Sequence, residues 1–263
     1  MSDADAIIAA LRTGHEALAT RAAALSDDEL AGPSGASDWD VAQVLSHLGS
    51  GAEIGLVTLR AALGEGPALE REDMLAIWDR WNAMPRREQA DSFVRANEDL
   101  TARYEALTGV ERADLRIDLG FLPAPVDVAT AAGMRLSELT LHAWDVAVAF
   151  DAHATLPLDA TAELLPRSGL LFGWLAKPEP LDGRTVTLAV RTVAPTAELV
   201  AVLGEQPSLS NGAAERSDAV LDLPAEAWLR LTSGRLSAEH TPPGVVVTGA
   251  VDLDTLRRVF PGY

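Results

Sequence analysis

The chain has 263 residues, of which 48% are hydrophobic, enough to bury the core of one large domain or two modest ones. Its 21 Lys and Arg are set against 39 Asp and Glu, and a net charge of −18 repels phosphate backbones and anionic bilayers, so no nucleic acid and no membrane is expected as a partner. The absence of cysteine excludes disulfides, zinc ribbons, iron–sulfur clusters and a catalytic thiol belonging to the protein.

The opening MSDADAIIAALRTG is acidic instead of basic, and no stretch approaches ~18 uninterrupted apolar residues, so a cytoplasmic protein is expected. Ile7, Leu11, Leu18 and Leu25 among alanines predict a first helix from Asp3 to about Leu25, with His15 on its surface. Ser26-Asp-Asp-Glu29 has the pattern of a capping box, and AGPSGAS at 31–37 reads as a loop. Val41, Val44, Leu45 and Leu48 mark a second helix with Ser37 or Asp38 as N-cap. His47 lies at the edge of that stripe, with Gly51 and Gly55 leaving room along the same face. A third helical segment, rich in charge from Arg86 to Arg103, is expected from Pro67 to about Thr108. Gly120 to Pro125, GFLPAP, then breaks the chain before a fourth helix.

The fourth helix carries LSELTLHAWDVAVAF, Leu136 to Phe150. At about 100° per residue, Glu138, His142 and Asp145 fall in one narrow stripe, flanked by Leu139, Val146 and Phe150 on one side and Leu141, Trp144 and Val148 on the other. A polar stripe walled by apolar surface points into protein, where isolated charges are costly unless paired or metal-bound. Glu138 and His142 are at i and i+4 and project side by side, as two metal ligands can; a plain surface pair has the same spacing. Four helical segments separated by Gly/Pro breaks predict a four-helix bundle, whose metal sites are built from facing helices.

Past about Leu156 the character changes. A helix is expected over 159–176 and a turn-rich hinge over Lys177 to Gly183. Strands are expected at Arg184 to Arg191, Ala219 to Leu223 and Gly244 to Thr248, with helices at Pro224 to Thr232 and Asp252 to Phe260. Alternating strands and helices of this length predict a small α+β domain.

Two motifs carry a resemblance. Trp39-Asp-Val-Ala-Gln-Val-Leu-Ser-His47-Leu is similar to the W-x-V-x-x-V-x-x-H-L helix, and Ser137-Glu138-Leu-Thr-Leu-His142-Ala-Trp-Asp145 to the E-x-x-x-H-A-W-D helix, of the mycothiol-dependent maleylpyruvate isomerase family. The resemblance implies two domains: an all-α, DinB-like metal-binding four-helix bundle over 1–155 and a small α+β, sterol-carrier-like domain over 156–263. It implies that His47, Glu138 and His142 bind Zn2+ or another divalent metal, and that mycothiol serves as the low-molecular-weight thiol cosubstrate. Leu231-Thr-Ser-Gly-Arg235-Leu is similar to the family's L-x-x-G-R segment. Arg235 there is a candidate for meeting a carboxylate, or is simply a surface arginine after a helix C-cap glycine.

Two imidazoles and one carboxylate leave a tetrahedral zinc one open position, the pattern of a catalytic site. A thiol bound there is deprotonated, which turns an external thiol into a nucleophile in a chain that has none. Asp145 is a candidate catalytic-site residue that orients a ligand imidazole, or else a helix-surface carboxylate. The expected function is thiol addition to an electrophilic small molecule, giving isomerisation or S-transfer. A zinc-water hydrolase with Asp145 as base, or a non-catalytic metal-binding module, are the alternatives.

Overall fold

The computed structural model describes residues 3–262; Met1, Ser2 and Tyr263, which the sequence reading counts in the two domains, lie outside the described residues. The chain divides into two compact units between Asp151 and Ala152.

In the first unit, α1 (Asp3–Ala24) is followed by the short α2 (Asp27–Leu30), which opens with the expected capping box: Ser26 N donates to Glu29 Oε2 at 2.8 Å and Glu29 N to Ser26 Oγ at 3.3 Å. Helix α3 (Val41–Ala62) starts later than expected, because Asp40 is its N-cap. Asp40 and not Ser37 or Asp38 takes that role since it alone has a glutamine three residues on: Gln43 N donates to Asp40 Oδ1 at 2.8 Å and Asp40 N to Gln43 Oε1 at 2.9 Å. The segment expected as one helix up to Thr108 is two, α4 (Arg71–Asn82) and α5 (Arg86–Glu105). Pro85 separates them; it has no N–H to continue a helix and serves as the N-cap of α5. Helix α6 (Gly109–Asp114) leads into an antiparallel pair, β1 (Arg116–Ile117) and β2 (Val126–Asp127), that closes the GFLPAP break. Asp127 then caps α7 (Val128–Val148), accepting from Thr130 N at 2.7 Å.

Helix α3 packs on α5, α4 and α7, while α1 packs on α7 and α5, so the long helices α1, α3, α5 and α7 form the bundle. Its core is built from Ile7, Leu11, Leu45, Leu48, Phe93, Leu136 and Leu139, all almost fully buried. Gly49 admits Trp81: a Cβ at that position would stand 2.2 Å from the indole ring.

His15 is buried, not exposed as its small and polar neighbours suggest. Its partners come from α5, distant in sequence: Asn97 Nδ2 donates to His15 Nδ1 at 2.9 Å, and Nε2 lies 2.9 Å from Glu98 Oε2. Burial pushes the imidazole below its ordinary value near 6.5, against the opposing pull of the Glu98 carboxylate. As pH falls below about 6.5 the unfolded chain takes up a proton at His15 before the folded chain does, so stability is complete above that pH and decreases below it. The slope should reach at most about 1.4 kcal/mol per pH unit. Urea titrations between pH 7.5 and 5 should show this fall, and His15→Asn should flatten it; parallel curves for the two proteins would contradict the assignment.

In the second unit, α8 (Leu158–Leu164) and α9 (Phe172–Leu175) stand where one helix was expected, because Pro166 and Gly169 interrupt it. Strands β3 (Val186–Val193), β4 (Ala197–Leu203), β5 (Ser208–Asn211), β6 (Ala219–Pro224) and β7 (Val246–Gly249) form one sheet in the order β5-β4-β3-β6-β7. Only β3 and β6 run parallel. The helices expected at either side of β7 are present as α10 (Ala225–Thr232) and α11 (Leu253–Val259). Phe172, Trp228 and Phe260 meet with ring centroids 5.5–6.3 Å apart at the centre of this unit's core.

Helix α10 ends in a Schellman motif: Gly234 N donates to Leu231 O at 3.1 Å and Arg235 N to Arg230 O at 2.6 Å, with Gly234 at φ 75. A Cβ on Gly234 would lie 2.4 Å from Gly262 Cα. Gly234→Ala combines backbone strain with a backbone clash and is expected to cost about 2–4 kcal/mol, read as a lowered denaturant midpoint. A midpoint within error of wild type would show that the chain end yields freely.

Candidate metal centre

Helices α3 and α7 bring His47, Glu138 and His142 together from sequence positions about ninety residues apart. Each offers one ligand atom, and the three atoms lie within 4.8 Å of one another. His47 Nε2 stands 3.1 Å, and His142 Nε2 3.6 Å, from the same carboxylate oxygen, Glu138 Oε2. For zinc bonds of about 2.0–2.1 Å, adjacent ligand atoms at the corners of a tetrahedron sit about 3.3–3.4 Å apart. The two separations from Glu138 bracket that spacing and all three atoms lie within 4.8 Å of one another, so the donor set suits a divalent metal in chemistry and comes close to it in span.

Exposure is graded across the trio. The His142 side chain is 5% exposed, whereas those of His47 and Glu138 are 37% and 36% exposed, so the centre is open on the side of the latter two. Burial pushes the Glu138 carboxyl up, but hydrogen bonding from His142 and His47 outweighs it and holds the group well below the usual carboxylate range. Glu138 is therefore favoured as an anion, the state a cation requires.

Asp145 is fully buried, one turn beyond His142. His142 Nδ1–H donates to Asp145 Oδ2 at 2.8 Å, which places the proton on Nδ1 and leaves the Nε2 lone pair directed toward Glu138. Of the five site residues expected from sequence, four thus converge. Arg235 belongs to the second unit, where it is partly buried and donates from Nη1 to Ser233 O at 3.1 Å. The flanks of the α7 stripe are buried at Leu139, Leu141, Trp144 and Val146, whereas Phe150 lies past the helix end and is 43% exposed.

Two further residues complete the surroundings. Trp39, assigned by sequence to the second helix, lies in the loop ahead of α3 and covers both imidazoles, with ring centroids 5.0 Å from His47 and 6.0 Å from His142. That loop is tied to α7: Gly35 N donates to Asp145 O at 2.8 Å, and a Cβ on Gly35 would meet Val148 Cγ1 at 2.7 Å. Ser34 Oγ donates to Trp39 O at 2.8 Å and fixes the tryptophan's backbone. Arg135 precedes Glu138 by one turn on the same stripe and donates from Nη2 to Leu48 O at 2.8 Å and Asn97 Oδ1 at 2.5 Å. Its place in the stripe, i−3 from Glu138, is a signal that sequence reading can use.

Residues 11–147 match the family model of the mycothiol maleylpyruvate isomerase N-terminal domain, which covers both motif helices and all of the centre just described. The chain belongs to this family. Two solved structures resemble it along most of its length: the crystal structure of the mycothiol-dependent maleylpyruvate isomerase, at 15% identity, and that of a histidine-to-alanine mutant of it, at 14%. Each has a TM-score of 0.62, with 95% of both chains covered, so the maleylpyruvate isomerase fold, helical bundle followed by a sheet-containing domain, extends past the matched N-terminal region. Among curated proteins none matches the chain. No helix among the described residues is long and apolar enough to cross a membrane.

Proposed function

We propose that this chain is a zinc-dependent enzyme in which mycothiol adds to an electrophilic small molecule of the maleylpyruvate type, giving cis–trans isomerisation. In this reading the bundle, residues 1–155, holds the metal through His47, Glu138 and His142. The observation that carries it is the convergence of two imidazole nitrogens and one carboxylate oxygen within 4.8 Å of one another, with Asp145 behind His142. A bound divalent ion supplies an open position at which an external thiol is held as thiolate near neutral pH. The chain has no thiol of its own to compete for that position.

The residues divide the remaining work. Asp145 keeps the His142 proton on Nδ1 and so fixes the ring as a donor of its Nε2 lone pair. The Trp39 ring packs against the two imidazoles, while the partly exposed His47 and Glu138 leave the centre open to a thiol and its partner. Thiolate addition to a conjugated double bond, rotation about the resulting single bond and elimination return the thiol and yield the geometric isomer. In the sterol-carrier-like unit, residues 156–263, Arg235 is assigned to a carboxylate of the substrate, in addition to its place in the Schellman cap.

Hydrolysis with Asp145 as general base is disfavoured, because that carboxylate is wholly buried and engaged with His142 Nδ1. The test is turnover of maleylpyruvate by metal-loaded protein with and without mycothiol. Isomerisation that requires the thiol supports the proposal. Thiol-independent turnover of an ester or amide that mycothiol suppresses would overturn it in favour of hydrolysis, and metal binding without either activity would favour a binding module.

A further inference from the structure

Arg135 has a position that the metal-centred reading does not use. It lies one turn before Glu138 on α7, between α3 and α5, and spends only Nη2 on protein acceptors: the Leu48 carbonyl at 2.8 Å and Asn97 Oδ1 at 2.5 Å. Both acceptors are neutral. Among the described residues no carboxylate forms an ion pair with this guanidinium, although Glu138 acts on it through space. Nε is buried with no hydrogen-bond partner. Nη1 packs close to the backbone of α3 at Gly51, where a Cβ would stand 3.2 Å from it, so glycine lets the guanidinium approach the helix. Burial lowers the guanidinium to about 10, which still leaves it fully cationic at neutral pH.

A partly buried cation with no carboxylate in contact is stabilised when an anion joins it, and a guanidinium with one edge already anchored has little freedom left to lose in binding one. Leu48 directly follows His47, so the anchored guanidinium stands beside the metal-ligand trio on the same pair of helices. We infer that Arg135 is an anion-binding residue of the centre, which receives a carboxylate of the substrate through Nη1, the terminal nitrogen that makes no hydrogen bond to the described residues. The inference deepens the reading of the trio as the reactive centre and rests on it only for what lies next to the anion.

The test therefore uses metal-free, chelator-treated full-length protein, so that a wrong metal assignment does not decide it. Maleate is the probe, with neutral dimethyl maleate as control, and binding is measured by calorimetric titration. Wild type should bind maleate at least about tenfold more tightly than the diester, as expected for a charge-assisted guanidinium–carboxylate contact. Arg135→Met should abolish that preference and Arg135→Lys should restore part of it. Gly51→Ala, whose methyl crowds Nη1 without removing charge, should weaken maleate severalfold and keeps the test open if Arg135→Met fails to fold. A maleate preference unchanged in a folded Arg135→Met or in Gly51→Ala would overturn the inference and leave Arg135 as a strut between α3 and α5.

Discussion

His142→Ala protein is expected to emerge from dialysis against a weak chelator without metal, while wild type retains about one ion per chain, as a trio of ligands on a single centre requires. Even groups that only support a ligand are worth about 10–100-fold in affinity, so loss of a ligand itself should exceed a hundredfold. His47→Ala should lose metal equally. The two variants should differ in another respect, because His142 is buried on Asp145 and His47 is a third exposed. Removing His142 takes the Nδ1–H from a fully buried carboxylate, which costs about 1–3 kcal/mol in the metal-free protein. Removing His47 should leave metal-free stability nearly unchanged. Elemental analysis gives the first result and chemical denaturation of the metal-free proteins the second; equal destabilisation by both would contradict the burial argument.

The second large effect is expected at Asp145, which touches no metal in this account. Asp145→Ala frees the His142 ring to rotate and to place its proton on Nε2, the nitrogen needed for the metal. Metal affinity should fall about 10–100-fold in a competition assay with a chromogenic chelator. Asp145→Asn keeps an oxygen acceptor for Nδ1–H at the same position and should fall between Asp145→Ala and wild type. If alanine at 145 binds metal as tightly as aspartate, the His142 tautomer is held by something else.

Part of the centre was legible from spacing, because Glu138, His142 and Asp145 share one stripe of α7 with apolar flanks, whereas His47, on α3, joined them only through the resemblance of its motif. What was not legible depends on partners remote in sequence. His15 looks exposed among alanines until Asn97 and Glu98 arrive from α5. Trp39 falls outside α3 because Gln43 selects Asp40 as N-cap over two other capping residues, and only then does its ring turn over the imidazoles. Strand β5, mostly exposed at the sheet edge, carries little apolar alternation to read, and β4 mixes alanine and glutamate with its buried Leu199, Ala201 and Leu203.

The proposal that this centre activates an external thiol is tested most directly by titrating the Co(II)-substituted protein with mycothiol while recording the near-ultraviolet spectrum and proton release. A free thiol with pKa near ~8.5 is only a few per cent ionised at pH 7, so binding as thiolate must release close to one proton per thiol. A sulfur-to-metal charge-transfer band is expected to saturate at about one thiol per metal, with matching proton release, and to be absent from Glu138→Ala protein that has lost its metal. Saturable thiol binding with neither band nor proton release, or a band that persists when the centre is empty, would contradict it.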